Sequence, residues 1–191
     1  MKPIYILVAA ALFVSCNSGQ KQTSEQADAE FDKQKEEQVI RQLVDDVYKE
    51  VNVRWDKSSD GTEFEGTMED KYTTEEWQKV YLDLRAIEAK KVAAGNPDGT
   101  YFSENGNVWT MGSLDLPFTT EVVRVEFADA QTADVYFWLK PAEDKSLPIL
   151  WKMKKVGDSW LIQNFIEGDE NYSEYDYNYM EHMKAYINEN Q

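Results

Sequence analysis

The spacing of hydrophobic residues changes once along this chain of 191 residues. Between Val39 and Ile87 the apolar residues recur every three or four positions, which is typical of amphipathic helices. From about residue 108 to residue 166 they tend to recur at every second position, which is typical of strands with one buried face. This order predicts helices first and a sheet after them, and it favours an α+β domain.

Two helices are predicted ahead of the sheet. The first spans roughly 34–53 and ends where the polar stretch DKSSDG begins. The second begins at Thr73 or Thr74, because Thr73 and Glu76 have the spacing of a capping box. Gly95, followed by Asn and Pro, ends it before or near residue 95.

The second half of the chain predicts a meandering antiparallel sheet of four to five strands and a closing helix. Val108 to Met111 is expected to open the sheet, and Gly157-Asp158 has the composition of a two-residue hairpin turn. A helix at about 174–188 is expected to end the fold. The strands with clear alternation are 123–127, 135–139, 149–153 and 160–165.

The first sixteen residues, MKPIYILVAAALFVSC, have the features of an export signal. Lys2 gives a positive start, and Ile4 to Val14 form an apolar run too short to cross a hydrocarbon core of ~30 Å. The sequence FVSC resembles the bacterial lipobox, with Phe13 where leucine is usual. The resemblance implies a signal peptide at 1–15 and acyl chains on Cys16; plain secretion is the alternative.

Cys16 is the only cysteine in the chain, so no internal disulfide can form, and acylation would cap an otherwise reactive thiol. Several acyl chains would hold the protein on a membrane. Asn17 stands where many inner-membrane lipoproteins have Asp, which favours the outer membrane, with the domain facing the periplasm or the outside.

Residues 16–33 are predicted to be the lipidated cysteine and a flexible leash, because Phe31 is their only large apolar residue. Residues 34–191 remain for a single globular domain, which suits one hydrophobic core. The formal charge of −16 argues against nucleic acid as a partner.

The closing hairpin, ILWKMKKVGDSWLIQNF, and the strip WTMGSLDLPF resemble the nuclear transport factor 2-like superfamily. Within it, the likeness is to lipoprotein and periplasmic families of unknown function, and it covers about 35–170. A cystatin-like arrangement of helix and sheet is the nearest alternative. The resemblance implies a strongly curved sheet wrapped around helices, forming a cone with a hydrophobic pocket.

Enzymes of that superfamily place a carboxylate inside the cone as general base, and Asp115 is the candidate that the resemblance suggests here. The alternative is that Asp115 caps the bend before Pro117. The expected pocket residues are Trp109, Asp115, Tyr136, Trp138 and Trp151.

Several chemistries are disfavoured. His182 is the only histidine, so no histidine cluster for zinc can form, and we expect it on the surface. Asp56 to Gly61 matches half of a calcium loop, but Thr67 stands where the closing Glu is needed. An acidic turn explains the same residues, and we expect neither metal nor cofactor.

The chain is 13% aromatic, and aromatic strand faces suit a small hydrophobic or carbohydrate ligand, although a sheet core uses the same residues. Tyrosines are also dense near the C-terminus, which is typical of recognition surfaces. This expected partner surface consists of Tyr172, Tyr175, Tyr177 and Tyr179.

Three functions follow from the sequence. The favoured one is a non-enzymatic binding or interaction module tethered to the membrane, with a hydrophobic cone pocket or with a sheet that forms a homodimer. The alternatives are an isomerase or dehydratase that uses Asp115, and a structural envelope protein that binds no ligand.

Overall fold

In a computed structural model, four helices and five strands form the described part of the chain, which comprises residues 31–57, 63–96, 100–101, 107–112, 116–168 and 177–191. These residues belong to one compact unit, Phe31–Gln191. The helices are α1 (Lys33–Lys57), α2 (Met68–Tyr72), α3 (Glu75–Ala93) and α4 (Tyr179–Glu189). The strands are β1 (Thr119–Phe127), β2 (Thr132–Lys140), β3 (Leu147–Val156), β4 (Ser159–Glu167) and β5 (Tyr177–Asn178). The fold is α+β, as the order of sequence periods predicts.

The helix caps explain where α2 and α3 begin. Thr74 is the N-cap of α3, because its side chain accepts a hydrogen bond from the backbone N–H of Trp77. The capping box lies one helix earlier than predicted. Thr67 and Asp70 exchange side-chain and backbone hydrogen bonds at the start of α2.

The sheet is antiparallel throughout, in the order β1-β2-β3-β4-β5. Bulges interrupt the register at Val123 in β1 and at Gln163 in β4, which lies opposite the Lys152/Met153 step of β3. The tight turn between β3 and β4 is Gly157-Asp158, as predicted, with Gly157 at φ 60°.

The predicted strand at Val108–Met111 is wrong, because these residues form a turn. All four side chains are buried, which a strand with one solvent-facing side would not show. The backbone turns back through the left-handed region at Met111 (φ 49°) and Gly112 (φ 77°). The fifth strand is instead the short β5, which pairs with the end of β4.

The helix α1 runs along the outer edge strand of the sheet, β1. Arg41 Nη1 donates to the backbone oxygen of Val122 at 2.6 Å, and Asn52 exchanges two hydrogen bonds with the backbone of Phe118. These contacts satisfy backbone groups that an edge strand would otherwise leave open.

On the other side of the sheet, the short β5 pairs with only the end of β4, and a second contact covers β4 near its middle. Thr73, between α2 and α3, forms a bridge to Ile162, and β5 pairs with Ile166 and Glu167. The N-cap of α4 is Asn178, next to this edge, which starts the final helix several residues later than predicted. Helices α1, α3 and α4 all contribute residues to the same hydrophobic core as the sheet.

Candidate functional site

The structure separates the pocket residues predicted from the sequence. Trp151 is fully buried and lies opposite Val135 in the register, on the core face of the sheet. Tyr136 and Trp138 are half-buried on the opposite face, because neighbouring residues of a strand point to opposite sides. These aromatic residues therefore do not line one pocket, and Asp115 lies outside the described residues.

The core side of the sheet is filled by aromatic side chains at the centre of the expected cone. Tyr48 of α1 stacks on Trp151 with ring centroids 5.9 Å apart, and both contact Phe137. Phe165 lies between Trp151 and Trp109, at 5.9 and 5.0 Å. The concave surfaces of the described part of the chain lie outside this packed centre. The largest, of about 610 Å³, is polar and lies between α2, the start of α3 and the ends of β3 and β4; a more aromatic one lies at the helical side of the domain.

That surface is a cleft between the end of α1, the helix α2, the middle of α3 and the turn 107–112. It comprises two adjoining cavities of about 330 and 270 Å³ that share Glu69, Tyr81 and Asn107. One cavity is mainly aromatic and apolar, with Trp55 and Trp109 in its wall. Arg85 lines the other. The remaining lining residues are Val51, Arg54, Gly66, Thr67, Met68 and Val108.

Trp109 forms the inner wall of the cleft and is held at three points. Its indole N–H donates to Glu69 Oε1 at 2.8 Å, and its backbone N–H donates to Asn107 Oδ1 at 2.8 Å. Its ring packs edge-on against Tyr72 and Phe165. Because Trp109 is also only 4% exposed, it forms a rigid and almost fully buried inner boundary of the cleft.

Tyr81 and an ion pair between an exposed arginine and a buried glutamate lie at the other end of the cleft. Arg85 Nη1 and Glu88 Oε2 are 2.7 Å apart, and the Glu88 side chain is only 5% exposed. Burial, helped by the nearby charge of Glu69, raises the pKa of Tyr81 to about 12. The Tyr81 hydroxyl therefore stays protonated at neutral pH and can both donate and accept a hydrogen bond.

An ion-pair cluster fastens α1 to α2 behind the cleft. The carboxylate of Glu50 accepts hydrogen bonds from Lys71 Nζ at 2.5 Å, Tyr72 Oη at 2.7 Å and Arg54 Nε at 2.9 Å. Burial alone would raise the pKa of Glu50, but these three donors outweigh it and lower that pKa to about 2. The guanidinium of Arg54 also donates to the Gly66 backbone oxygen at 3.0 Å. We call Glu50, Arg54, Lys71 and Tyr72 the Glu50 clamp.

The remaining predicted residues fall at different places. His182 is exposed and stacks on Tyr177 with ring centroids 4.2 Å apart. Tyr179 is buried in the core, where burial raises the pKa of its hydroxyl. Of the expected tyrosine surface only Tyr177 is therefore partly accessible among the described residues, because Tyr172 and Tyr175, like Cys16, lie outside them.

The half-matched calcium loop is only partly described, since residues 58–62 lie outside the described residues. Thr67, at the position of the missing acidic ligand, caps α2 instead. Within the described ranges, no group of three or more His, Cys, Asp or Glu side chains is placed to hold a metal ion. No helix in that part of the chain is long and apolar enough to span a bilayer.

The chain was compared with protein-family models, curated proteins and solved structures, and nothing matches it in any of the three comparisons. The resemblance to the nuclear transport factor 2-like superfamily therefore remains a prediction, and the site is interpreted from its own geometry.

Sequence reasoning identified Trp109 but missed most of the cleft. Tyr81 was visible on the apolar stripe of α3, and Glu69 immediately precedes the acidic residue of the α2 capping box. Neither signal distinguishes a binding residue from a packing residue, because the cleft exists only after the turn 107–112 is brought against α2.

Proposed function

We propose that this protein is a lipid-anchored binding module of the bacterial envelope and that the cleft is its ligand site. The observation that carries the proposal is the cleft itself. The half-buried indole of Trp55, a carboxylate, a neutral phenol and an amide line two adjoining cavities, and the buried Trp109 is held by Glu69 beside them. Small-molecule sites have this composition, a mainly apolar surface with a few fixed polar groups.

The protonation and hydrogen bonding of the polar groups in the cleft favour binding over catalysis. The pKa of Tyr81 is shifted away from neutrality, so this residue is a poor proton acceptor at pH 7. Glu69 is engaged by the Trp109 indole, and Arg85 by Glu88. Such groups orient a ligand, whereas a general base needs a pKa near the working pH.

The binding test uses the full chain, extracted from its own host in mild detergent, with native mass spectrometry to detect a retained small molecule. We expect a stoichiometric ligand that is lost in Trp55→Ala and retained in Trp138→Ala. The second variant removes an equally large aromatic residue from the opposite face of the sheet. Retention in both variants, or loss in both, would refute the assignment of the site to the cleft.

The anchor is tested separately by metabolic labelling with an alkyne fatty acid. We expect label on the wild-type chain and none on Cys16→Ser, because the thiol is the only acyl acceptor in the proposed signal. Equal labelling of both proteins would contradict lipidation at Cys16.

A further inference from the structure

The charges of the cleft are largely compensated before any ligand binds. Two guanidinium groups line it, and each is paired with a carboxylate, Arg54 with Glu50 at 2.7 Å and Arg85 with Glu88 at 2.7 Å. The chain as a whole carries −16. An anionic ligand would meet a repulsive overall field and would have to compete with an existing carboxylate for each guanidinium.

The polar groups that remain available are both acceptors and donors. Glu69 accepts the Trp109 indole N–H with one carboxylate oxygen, and its other oxygen has no partner among the described residues. Asn107 lines the same cavities as Glu69; its side-chain oxygen accepts the Trp109 backbone N–H, so the hydrogen-bonding group that remains on this side chain is the donor NH₂. A hydroxyl group both donates and accepts, so adjacent hydroxyls satisfy such a mixed set better than an amine or a carboxylate does.

The accessible aromatic residue in the apolar part of the cleft is Trp55. It lies half-buried in the last turn of α1 and lines the cavity together with the buried residues Val51, Met68 and Trp109. Aromatic faces pack well against the C–H face of a ring and leave its edge for hydrogen bonds. A ligand with one apolar face and a hydroxyl-bearing rim matches this wall.

The presence of two adjoining cavities also indicates the length of the ligand that would fill the cleft. Each is close to 300 Å³, at the lower end of the range for small-molecule sites, and they join at Glu69, Tyr81 and Asn107. One ring in each cavity would place the linkage between the rings beside these three shared polar groups.

From these features we propose that the ligand of the cleft is a neutral saccharide of at least two rings. This inference rests on the proposed function, because it names the ligand class of the same site. Trp55 provides the stacking surface, and Glu69 and Asn107 bind hydroxyl groups near the linkage.

The test is isothermal titration calorimetry of the full chain in detergent with maltotriose, cellotriose, laminaritriose and chitotriose. Glucose, trigalacturonate, a glucosamine trimer and a hydrophobic naphthalene sulfonate dye serve as comparison probes. We expect at least one neutral trisaccharide to bind at least about tenfold more tightly than glucose and the two charged trimers. Trp55→Ala should weaken that binding about tenfold or more, and Trp138→Ala should leave it unchanged.

The other outcomes overturn the inference in distinguishable ways. If the dye or a retained host molecule binds and is lost in Trp55→Ala while no neutral trisaccharide binds, the saccharide is wrong and the binding function stands. Tighter binding of trigalacturonate would refute the charge argument, and tighter binding of the glucosamine trimer would refute the inference that the ligand is neutral. If no probe binds and no host molecule is retained, the saccharide and the proposed function both fail.

Discussion

The Glu50 clamp predicts a stability difference that depends on pH, and Glu50→Gln is the substitution that exposes it. Glutamine keeps the size of the side chain and removes its charge. The pKa of Glu50 falls from an ordinary 4.5 to about 2 in the folded state, and one unit corresponds to about 1.4 kcal/mol. If the full pKa shift contributed, the ionised Glu50 would stabilise the folded state by about 3 kcal/mol.

The realised value is smaller, because Glu50 is 20% exposed and its partner Lys71 is 57% exposed. We expect Glu50→Gln to lower the free energy of unfolding by about 1 to 2 kcal/mol at pH 7. Since the folded-state pKa is lowered, this contribution is complete above pH 4.5 and is lost as the pH falls toward 2. The difference between the two proteins should therefore shrink steadily below pH 4.5.

The assay is urea unfolding followed by tryptophan fluorescence at a series of pH values from 7 to 3, with the midpoint and slope fitted for each protein. Glu121→Gln is the matched control, because Glu121 pairs with Lys140 on the surface and its side chain is 60% exposed. This control should change stability by less than about 0.5 kcal/mol at every pH. A Glu50→Gln difference that stays constant from pH 7 to pH 3 would refute the electrostatic explanation and indicate lost packing.

Two further predictions concern the turn and the indole wall. Gly157→Ala should destabilise the fold by about 1 kcal/mol, because Gly157 has φ 60°; urea unfolding measures this, and an unchanged midpoint would contradict it. Trp109→Phe should lose hydrogen-bond energy that Trp77→Phe does not, since the Trp109 indole is bonded to Glu69 whereas the buried Trp77 N–H has no partner among the described residues. The expected gap is about 1 kcal/mol in unfolding free energy, and an equal loss in both variants would oppose it.

The parts of the fold that sequence predicts well are those governed by local periodicity. The stripe of α1 and the alternation of β2 are continuous over many residues, and both elements lie where these patterns place them. The prediction of a strand at Val108–Met111 was wrong because four residues are too few to distinguish a strand from a turn whose side chains are all buried.

The candidate site was harder to predict because it depends on pairing and packing rather than on local pattern. Whether Tyr136 and Trp151 share a face is decided by the β2–β3 register, which pairs Tyr136 with Leu150. The cleft in turn combines residues from α1, α2, α3 and a turn, so no short stretch of sequence contains it.

The helix α1 contributes both to the edge of the sheet and to the cleft, so a change in α1 affects both. It bonds to the backbone of the edge strand β1 through Arg41 and to that of Phe118, just before β1, through Asn52, and its last turn supplies Trp55 to the cleft. A substitution that loosens α1 would thus uncover an edge capable of pairing with another chain. Substitutions in α2 or in the turn 107–112 can change ligand preference without loosening α1. We therefore expect such substitutions to alter the cleft without promoting aggregation.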